Sequence, residues 1–138
     1  MDKVLNYLSL ARKAGRAELG EEPVGAAARA LQAYLIVVAG DASDHTWRRA
    51  KSYAAGTDQQ CVRLPYTKDE IGMAIGRTSL AIAAITDPAL AMALVQALPQ
   101  AEKFAPVIAV LTEKAQKQRK RQAEAKAHAR NKKTGKKK

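Results

Sequence analysis

The feature that most constrains the fold is an unbroken hydrophobic run at residues 34–39, with the sequence YLIVVA. Ile36, Val37 and Val38 are β-branched, and such residues favour strands. A strand in which every residue is apolar, rather than every second one, is typical of a sheet buried on both faces. The run therefore predicts a central strand that is covered by helices on both sides.

Helix and strand patterns alternate on either side of this run. Helices are predicted over residues 2–13, 23–32, 44–55, 67–76 and 88–98, and strands over 16–19, 34–39, 61–64 and 80–85. Thr67 and Glu70 have the spacing of a capping box, and Asp87-Pro88 suits the start of a helix. We expect Glu22 to be an N-cap, with Pro23 as the first helical residue. The alternation predicts an α/β fold with a central sheet.

Positive charge is concentrated at one end of the chain. Residues 112–138 contain twelve Lys or Arg and two acids, whereas residues 1–111 contain twelve basic and eleven acidic residues. We expect a domain at residues 1–98, a linker at 99–111 and a basic tail at 112–138. The apolar run 107–111 is suited to docking on the domain. The tail lacks large apolar residues, so we expect it to be disordered or transiently helical.

The sequence contains no arrangement of residues that predicts catalysis. Glycine-rich phosphate or dinucleotide motifs, a cysteine cluster and a histidine cluster are all lacking. We expect Ser43 or Asp44 to cap a helix that begins near His45, and Cys61 to be an inert buried thiol. We predict that the protein is not an enzyme and has neither a cofactor nor a metal site.

The start of the chain has no apolar run of signal-peptide length. The apolar stretch 80–98 is interrupted by Asp87-Pro88, which is costly in a membrane. We therefore expect a cytoplasmic protein without a membrane partner.

Four segments together resemble a known family: residues 10–16 (LARKAGR), 20–22 (GEE), 34–43 (YLIVVAGDAS), and 71–76 (IGMAIG) leading into 83–87 (AAITD). Their order and spacing are similar to those of the L-seven-Ae ribosomal protein family of kink-turn RNA binders, and most similar to its bacterial YlxQ-like branch. The resemblance covers about residues 2–98. It implies a three-layer α/β/α sandwich around a four-stranded mixed sheet, with the basic tail outside the family core.

The resemblance also implies that RNA is bound at three neighbouring loops. These are Gly20-Glu21-Glu22 at the start of the second helix, Asp41-Ala42 after the hydrophobic strand, and residues 77–80 before the last strand. At the helix start, the family's typical Asn, Glu and Lys are replaced here by Glu22, Pro23 and Ala26. Arg29, one turn further on, is the basic residue that can take the place of the lysine.

Basic residues elsewhere complete the predicted interface, because Lys and Arg neutralise phosphates without regard to base sequence. Arg12, Lys13 and Arg16 surround a turn, and whether they adjoin the three loops depends on the fold. The predicted RNA-binding residues are Arg12, Lys13, Arg16, Gly20, Glu21, Glu22, Arg29, Asp41, Ala42, Arg77, Thr78, Ser79, Lys117, Arg119, Lys120, Arg121, Lys132 and Lys133.

Three functions remain open from the sequence. The first is a non-enzymatic protein that recognises a kink-turn or other bent, structured RNA, in a ribosomal or other ribonucleoprotein setting. The second is a sequence-independent nucleic-acid binder that acts through its tail alone. The third is a protein-interaction module that recruits an RNA-processing enzyme.

Overall fold

The computed structural model describes the backbone of residues 2–134 and the side chains of residues 2–129. The helices are α1 (Lys3–Lys13), α2 (Glu21–Arg29), α3 (Asp44–Ala54), α4 (Lys68–Ala74), α5 (Pro88–Gln96) and α6 (Ala105–Thr134). The strands are β1 (Ala17–Leu19), β2 (Leu35–Val38), β3 (Gln60–Arg63) and β4 (Ile82–Ile85), and a 3-10 turn, Ala101–Phe104, precedes α6. The predicted α/β class is confirmed.

The four strands form one mixed sheet in the order β1-β4-β2-β3. Strand β2 is parallel to β3 and antiparallel to β4, which is in turn antiparallel to β1. As a result β1, β2 and β3 all end where β4 begins. We call the end of the sheet where β1, β2 and β3 finish the loop end. We call the end where β4 finishes the opposite end.

Helices cover both faces of the sheet. Helix α2 lies against β1 and β4, and α3 lies against β2 and β3, so these two helices form one layer. Helices α1 and α5 pack together in the second layer, and α6 packs on α5. Every residue of β2 and β4 is buried, which confirms the central strand predicted from the apolar run. The expected three-layer sandwich is confirmed.

Local sequence signals position most helix starts as predicted. Ser43, Thr67 and Asp87 are N-caps whose side chains accept a hydrogen bond from a backbone N–H of their own first turn. Thr67 and Glu70 form the complete capping box. Each bond satisfies a backbone donor that would otherwise have no partner within the helix.

The second helix differs from its prediction at both ends. It begins at Glu21 with Gly20 as the N-cap, two residues before Pro23. Proline fits there because amides of the first helical turn donate no bond within the helix. The helix ends at Arg29 because Leu31 adopts a left-handed backbone conformation with φ of 59°.

The largest difference from the prediction is at the C-terminal end. The expected linker 99–111 contains a 3-10 turn and the start of α6, and α6 continues without a break to Thr134. Leu111 is fully buried in the core, and Val107 and Ile108 pack against it. The expected linker is therefore docked helix, and no change of backbone structure occurs at residue 112.

Two physical effects explain the long helix. Docking of its apolar first turns on α5 supplies the nucleus, so later residues extend an existing helix instead of starting one. The following residues are mostly Ala, Gln, Lys, Arg and Glu, which have high helix propensity. An ion pair of 3.1 Å between Lys117 and Glu113, one turn apart, adds a small stabilisation.

None of the helices within residues 2–134 combines the length and the apolar character that crossing a bilayer requires.

The docking of α6 can be tested with Leu111→Ala. Leu111 has an exposed fraction of 0%, and we expect its truncation to lower the free energy of unfolding by about 2–5 kcal/mol. Met73→Ala is the control, because Met73 is 81% exposed and its loss is expected to change stability by less than about 0.5 kcal/mol. Urea denaturation followed by circular dichroism measures both. Equal stability of the two variants would show that Leu111 is not docked.

Candidate nucleic-acid interface

The topology brings all three predicted loops to the loop end of the sheet. The Gly20 N–H donates to the carbonyl of Ile82 at 3.0 Å, which joins the first loop to the start of β4. The Ala39 N–H donates to the carbonyl of Ala81 at 2.9 Å, which joins the second loop to the third. Backbone hydrogen bonds thus hold the three loops side by side, in an arrangement that sequence spacing alone could not give.

The second loop is fixed by its backbone and by one carboxylate. The Gly40 N–H donates to the Tyr66 carbonyl at 2.8 Å, and a Cβ on Gly40 would lie 2.8 Å from the Leu64 carbonyl oxygen. Asp41 accepts a hydrogen bond of 2.8 Å from the Lys68 backbone N–H, at the start of α4. Asp41 therefore positions α4, and the neighbouring Ala42 is buried and can offer only its backbone.

The third loop folds back along α4. The Leu80 N–H donates to the Lys68 carbonyl at 3.0 Å, and the Arg77 N–H donates to that of Gly72 at 2.8 Å. Gly72 has to be glycine, since a Cβ there would lie 2.6 Å from the Cα of Ser79. Arg77, Thr78 and Ser79 are exposed, so their side chains are accessible to a ligand.

The start of α2 presents backbone amides and two acidic side chains. Gly20 caps the helix without a side chain, so no side chain competes for the first amides of α2. Glu21 forms an ion pair of 3.3 Å with Arg49 of α3. Glu22 is exposed, and no ion pair involving it occurs among the side chains of residues 2–129. Its carboxylate is therefore an acceptor that is open to solvent, whereas that of Glu21 is engaged with Arg49.

A cleft of about 430 Å³ runs between α2 and α3, starting at this helix end. The predicted residues Glu21, Glu22 and Arg29 line it, together with two residues that the sequence analysis missed, Arg49 and Tyr53. The Tyr53 hydroxyl lies 3.0 Å from the position that a Cβ on Gly25 would occupy. The Arg48-Arg49 pair was the available signal for α3, but pairing α3 with α2 needs the tertiary structure.

A second group missed by the sequence analysis surrounds Trp47. The Arg63 guanidinium lies 4.9 Å from the centre of the Trp47 ring, and the Lys51 ammonium lies 5.6 Å from it. Arg63 is the last residue of β3, so this group also lies at the loop end. The separation of Trp47 and Arg63 along the chain hid the contact from sequence reasoning.

The basic residues at the end of α1 do not join the three loops. Arg12 and Lys13 are in the last turn of α1, and the Arg16 carbonyl accepts a hydrogen bond of 2.8 Å from the Thr86 N–H. Thr86 follows β4, so Arg16 lies at the opposite end of the sheet. The question left open by the sequence is thereby answered: the fold separates these three residues from the loops by the length of β1.

The predicted residues of the C-terminal tail lie on α6 beyond its docked part. Ala115 is buried, whereas Lys117, Arg119, Lys120 and Arg121 are exposed. The backbone of Lys132 and Lys133 belongs to α6, and their side chains lie outside the described residues. The lysines at 136–138 are outside the described residues altogether.

Carboxylates are numerous at the loop end, but most of them have structural roles. Asp2 caps α1 and accepts a hydrogen bond of 2.5 Å from the Tyr66 hydroxyl. This bond holds the pKa of Asp2 below its ordinary value. Burial, and then the same bond, raises the pKa of the Tyr66 hydroxyl. The pair fixes the segment after β3 against the start of α1.

The side chains considered for chemistry have ordinary structural surroundings. Ser43 is the N-cap of α3 and accepts a hydrogen bond from the Thr46 N–H at 3.2 Å. Burial raises the pKa of the Cys61 thiol to about 12, against the weaker opposing effects of Lys51 and Arg63. No group of three or more His, Cys, Asp or Glu side chains suited to a metal ion occurs in the part of the chain that the structure describes.

Solved structures share this fold. A Bacillus halodurans protein of unknown function is 24% identical, with a TM-score of 0.66, over 70% of this chain and 97% of its own. The Giardia lamblia 15.5 kD RNA-binding protein is 17% identical, with a TM-score of 0.55, over 76% of this chain and 87% of its own. Comparisons with protein-family models and with curated proteins give no match. These likenesses show the fold, and membership of the YlxQ-like branch stays a prediction.

The raised pKa of Cys61 predicts a protonated, slowly reacting thiol at neutral pH. At pH 8 we expect a thiol-specific disulfide reagent to modify the native protein at least ten times more slowly than the protein in guanidinium chloride, because the thiolate is the reactive form. Absorbance of the released chromophore measures both rates. The difference between the two modification rates should become smaller as the pH rises toward about 12. Cys61 is half-buried, and equal rates at pH 8 would contradict a thiol that this partial burial keeps protonated.

Proposed function

We propose that the protein is a non-enzymatic RNA-binding protein that recognises a kink-turn or similarly bent RNA at the loop end of its sheet. The main supporting observation is that the three predicted loops lie side by side. The hydrogen bonds from Gly20 and Ala39 to the start of β4 hold them there. The fold likeness to the Giardia RNA-binding protein supports RNA as the ligand class.

A bend in the RNA exposes bases that the loops can contact. The major groove of a regular RNA duplex is too deep and narrow for side chains, so recognition depends on unpaired or splayed bases. The first amides of α2 can face a phosphate or a base acceptor. Glu22 can accept hydrogen bonds from the amino groups of bases at such a site.

The charge at the loop end favours selectivity over affinity. Glu21, Glu22 and Asp41 lie there beside the basic residues Arg63 and Arg77, and each carboxylate repels a phosphate that comes close to it. Arg49 offsets Glu21 through their ion pair. We infer that the loops select RNA shape, while the exposed basic residues of α6 bind RNA phosphates without regard to shape or sequence.

The loop-end proposal is tested with the full chain and two RNA hairpins, one with a kink-turn bulge and one with the bulge removed. At fixed, near-physiological salt we expect at least a tenfold preference for the bulged hairpin, which corresponds to about 1.4 kcal/mol. Glu22→Ala is expected to reduce this preference to below threefold, because it removes a base acceptor. Fluorescence anisotropy measures both affinities.

Glu124→Ala is the matched control, since it removes one carboxylate from an exposed position on α6. It should leave the preference for the bulged hairpin unchanged, because Glu124 lies on α6 beyond its docked part and not in the three loops. Equal binding of the two hairpins by the unaltered protein would refute recognition of the bend. It would favour the second candidate, binding through α6 alone, for which the exposure of Arg119, Lys120 and Arg121 is the supporting observation.

The contribution of α6 is tested by the triple variant Arg119→Gln, Lys120→Gln, Arg121→Gln. For a plain RNA duplex, loss of three phosphate contacts should reduce the magnitude of the slope of log K against log salt concentration by about 2–3. The change should be the same for duplexes of different sequence, because phosphate contacts carry no sequence information. Arg119→Lys with Arg121→Lys keeps the charge and should change the slope little. An unchanged slope in the Gln variant would exclude these residues from RNA binding.

A further inference from the structure

The direction of α6 separates its basic residues from the loop end. Lys103 and Phe104, just before α6, line a cavity with Gly40 and Arg63, which lie at the loop end. Further along α6, the Lys114 ammonium lies 3.0 Å from the Asp58 carboxylate. Asp58 precedes β3, so this contact lies at the opposite end of the sheet. Helix α6 therefore starts beside the loops and runs away from them.

Beyond Gln118 the helix leaves the folded body. Ala115 is buried, whereas each side chain from Arg119 to Ala129 is exposed. We call residues 117–134 the basic arm; they contain eight Lys or Arg and one acid, Glu124. At 1.5 Å per residue, Arg121 lies about 24 Å along the helix from Ala105, and Thr134 lies about 44 Å along it.

The docked part of α6 carries no positive charge between these two regions. Residues 105–113 contain no Lys or Arg, and Glu113 is their one charged residue. The first base, Lys114, is neutralised by Asp58, and its hydrogen bond lowers the pKa of the Asp58 carboxyl. An RNA that followed α6 from the loops to the arm would pass about 13 Å of helix that has no basic side chain to neutralise its phosphates.

We propose that the basic arm binds a second RNA segment, distinct from the bent element at the loop end, so that one protein molecule bridges two RNA segments. This inference rests on the proposed function for the loop end. The arm is suited to the backbone of a duplex or strand of any sequence, since it is rich in Lys and Arg and has no Phe, Tyr or Trp for base stacking. The continuous helix holds the two segments on opposite ends of the body.

The test uses the full chain, the bulged hairpin and a plain RNA duplex of about 16 base pairs, a length that a double-stranded RNA domain spans. The labelled duplex is titrated into free protein and into protein loaded with one equivalent of the bulged hairpin. Bridging predicts that the duplex binds to free protein and to hairpin-loaded protein with dissociation constants within threefold of each other. It also predicts a complex of one protein, one hairpin and one duplex in analytical ultracentrifugation. Displacement of the duplex by one equivalent of hairpin would overturn the proposal, since a single surface would then hold both RNAs.

Two variants assign the two surfaces. The triple Gln variant at residues 119–121 should weaken duplex binding to the hairpin-loaded protein at least tenfold and leave the preference for the bulged hairpin intact. The charge-preserving variant, Arg119→Lys with Arg121→Lys, should stay within twofold of the unaltered protein. If the triple Gln variant binds the duplex with unchanged affinity, the proposed role of the arm is overturned.

Failure of the loop-end proposal has a different signature. In that case the bulged and plain hairpins would bind equally, Glu22→Ala would have no effect, and the hairpin would compete with the duplex for the arm. The triple Gln variant would then weaken both RNAs together. That result would overturn bridging and the loop-end proposal, whereas competition combined with a retained bulge preference would overturn bridging alone.

Discussion

The structure depends on the way β4 is inserted between β1 and β2. Because β4 is antiparallel to both neighbours, the ends of β1 and β2 meet its start, and the loops that follow them become neighbours. The backbone bonds from Gly20 to Ile82 and from Ala39 to Ala81 continue the ladders by one residue on each side. The same pairing that buries the apolar strands therefore also sets the positions of the candidate contact residues. Changes to the loop side chains can alter binding without altering this frame.

Much of the fold could be predicted from local signals. The apolar run containing Ile36 and Val37 predicted the central strand, and the caps at Thr67 and Asp87 predicted two helix starts, because these features depend on residues near in sequence. The start of α2 was predicted two residues late, since proline is acceptable at more than one first-turn position and Gly20 has no side chain to mark it as the cap.

The C-terminal helix shows where sequence reasoning reached its limit. Residues 112–134 have no apolar face, and a segment of that kind is not stable as an isolated helix. What makes the helix continuous is the docking of Leu111 and its neighbours upstream, which the segment itself does not encode. The charge of the arm was plain in the sequence, but its direction away from the loops was not. In the same way, the contacts of Glu21 with Arg49, and of Trp47 with Arg63, join residues whose proximity only the tertiary fold determines.

Under the proposed function, the two charged regions have different roles in RNA binding. At the loop end, carboxylates such as that of Glu22 lie near basic residues such as Arg63 and Arg77, so the mixed charge gives little net attraction for phosphate and the proposed selectivity depends on shape and base contacts. On the arm, the absence of aromatic residues and the excess of Lys and Arg give attraction without selectivity. If both regions held a single duplex, the carboxylates of Glu22 and Asp41 would oppose the attraction that the arm supplies. Separating them along α6 removes that conflict, because the screening length at physiological salt is about 8 Å and the first arm residues lie beyond it from the loops.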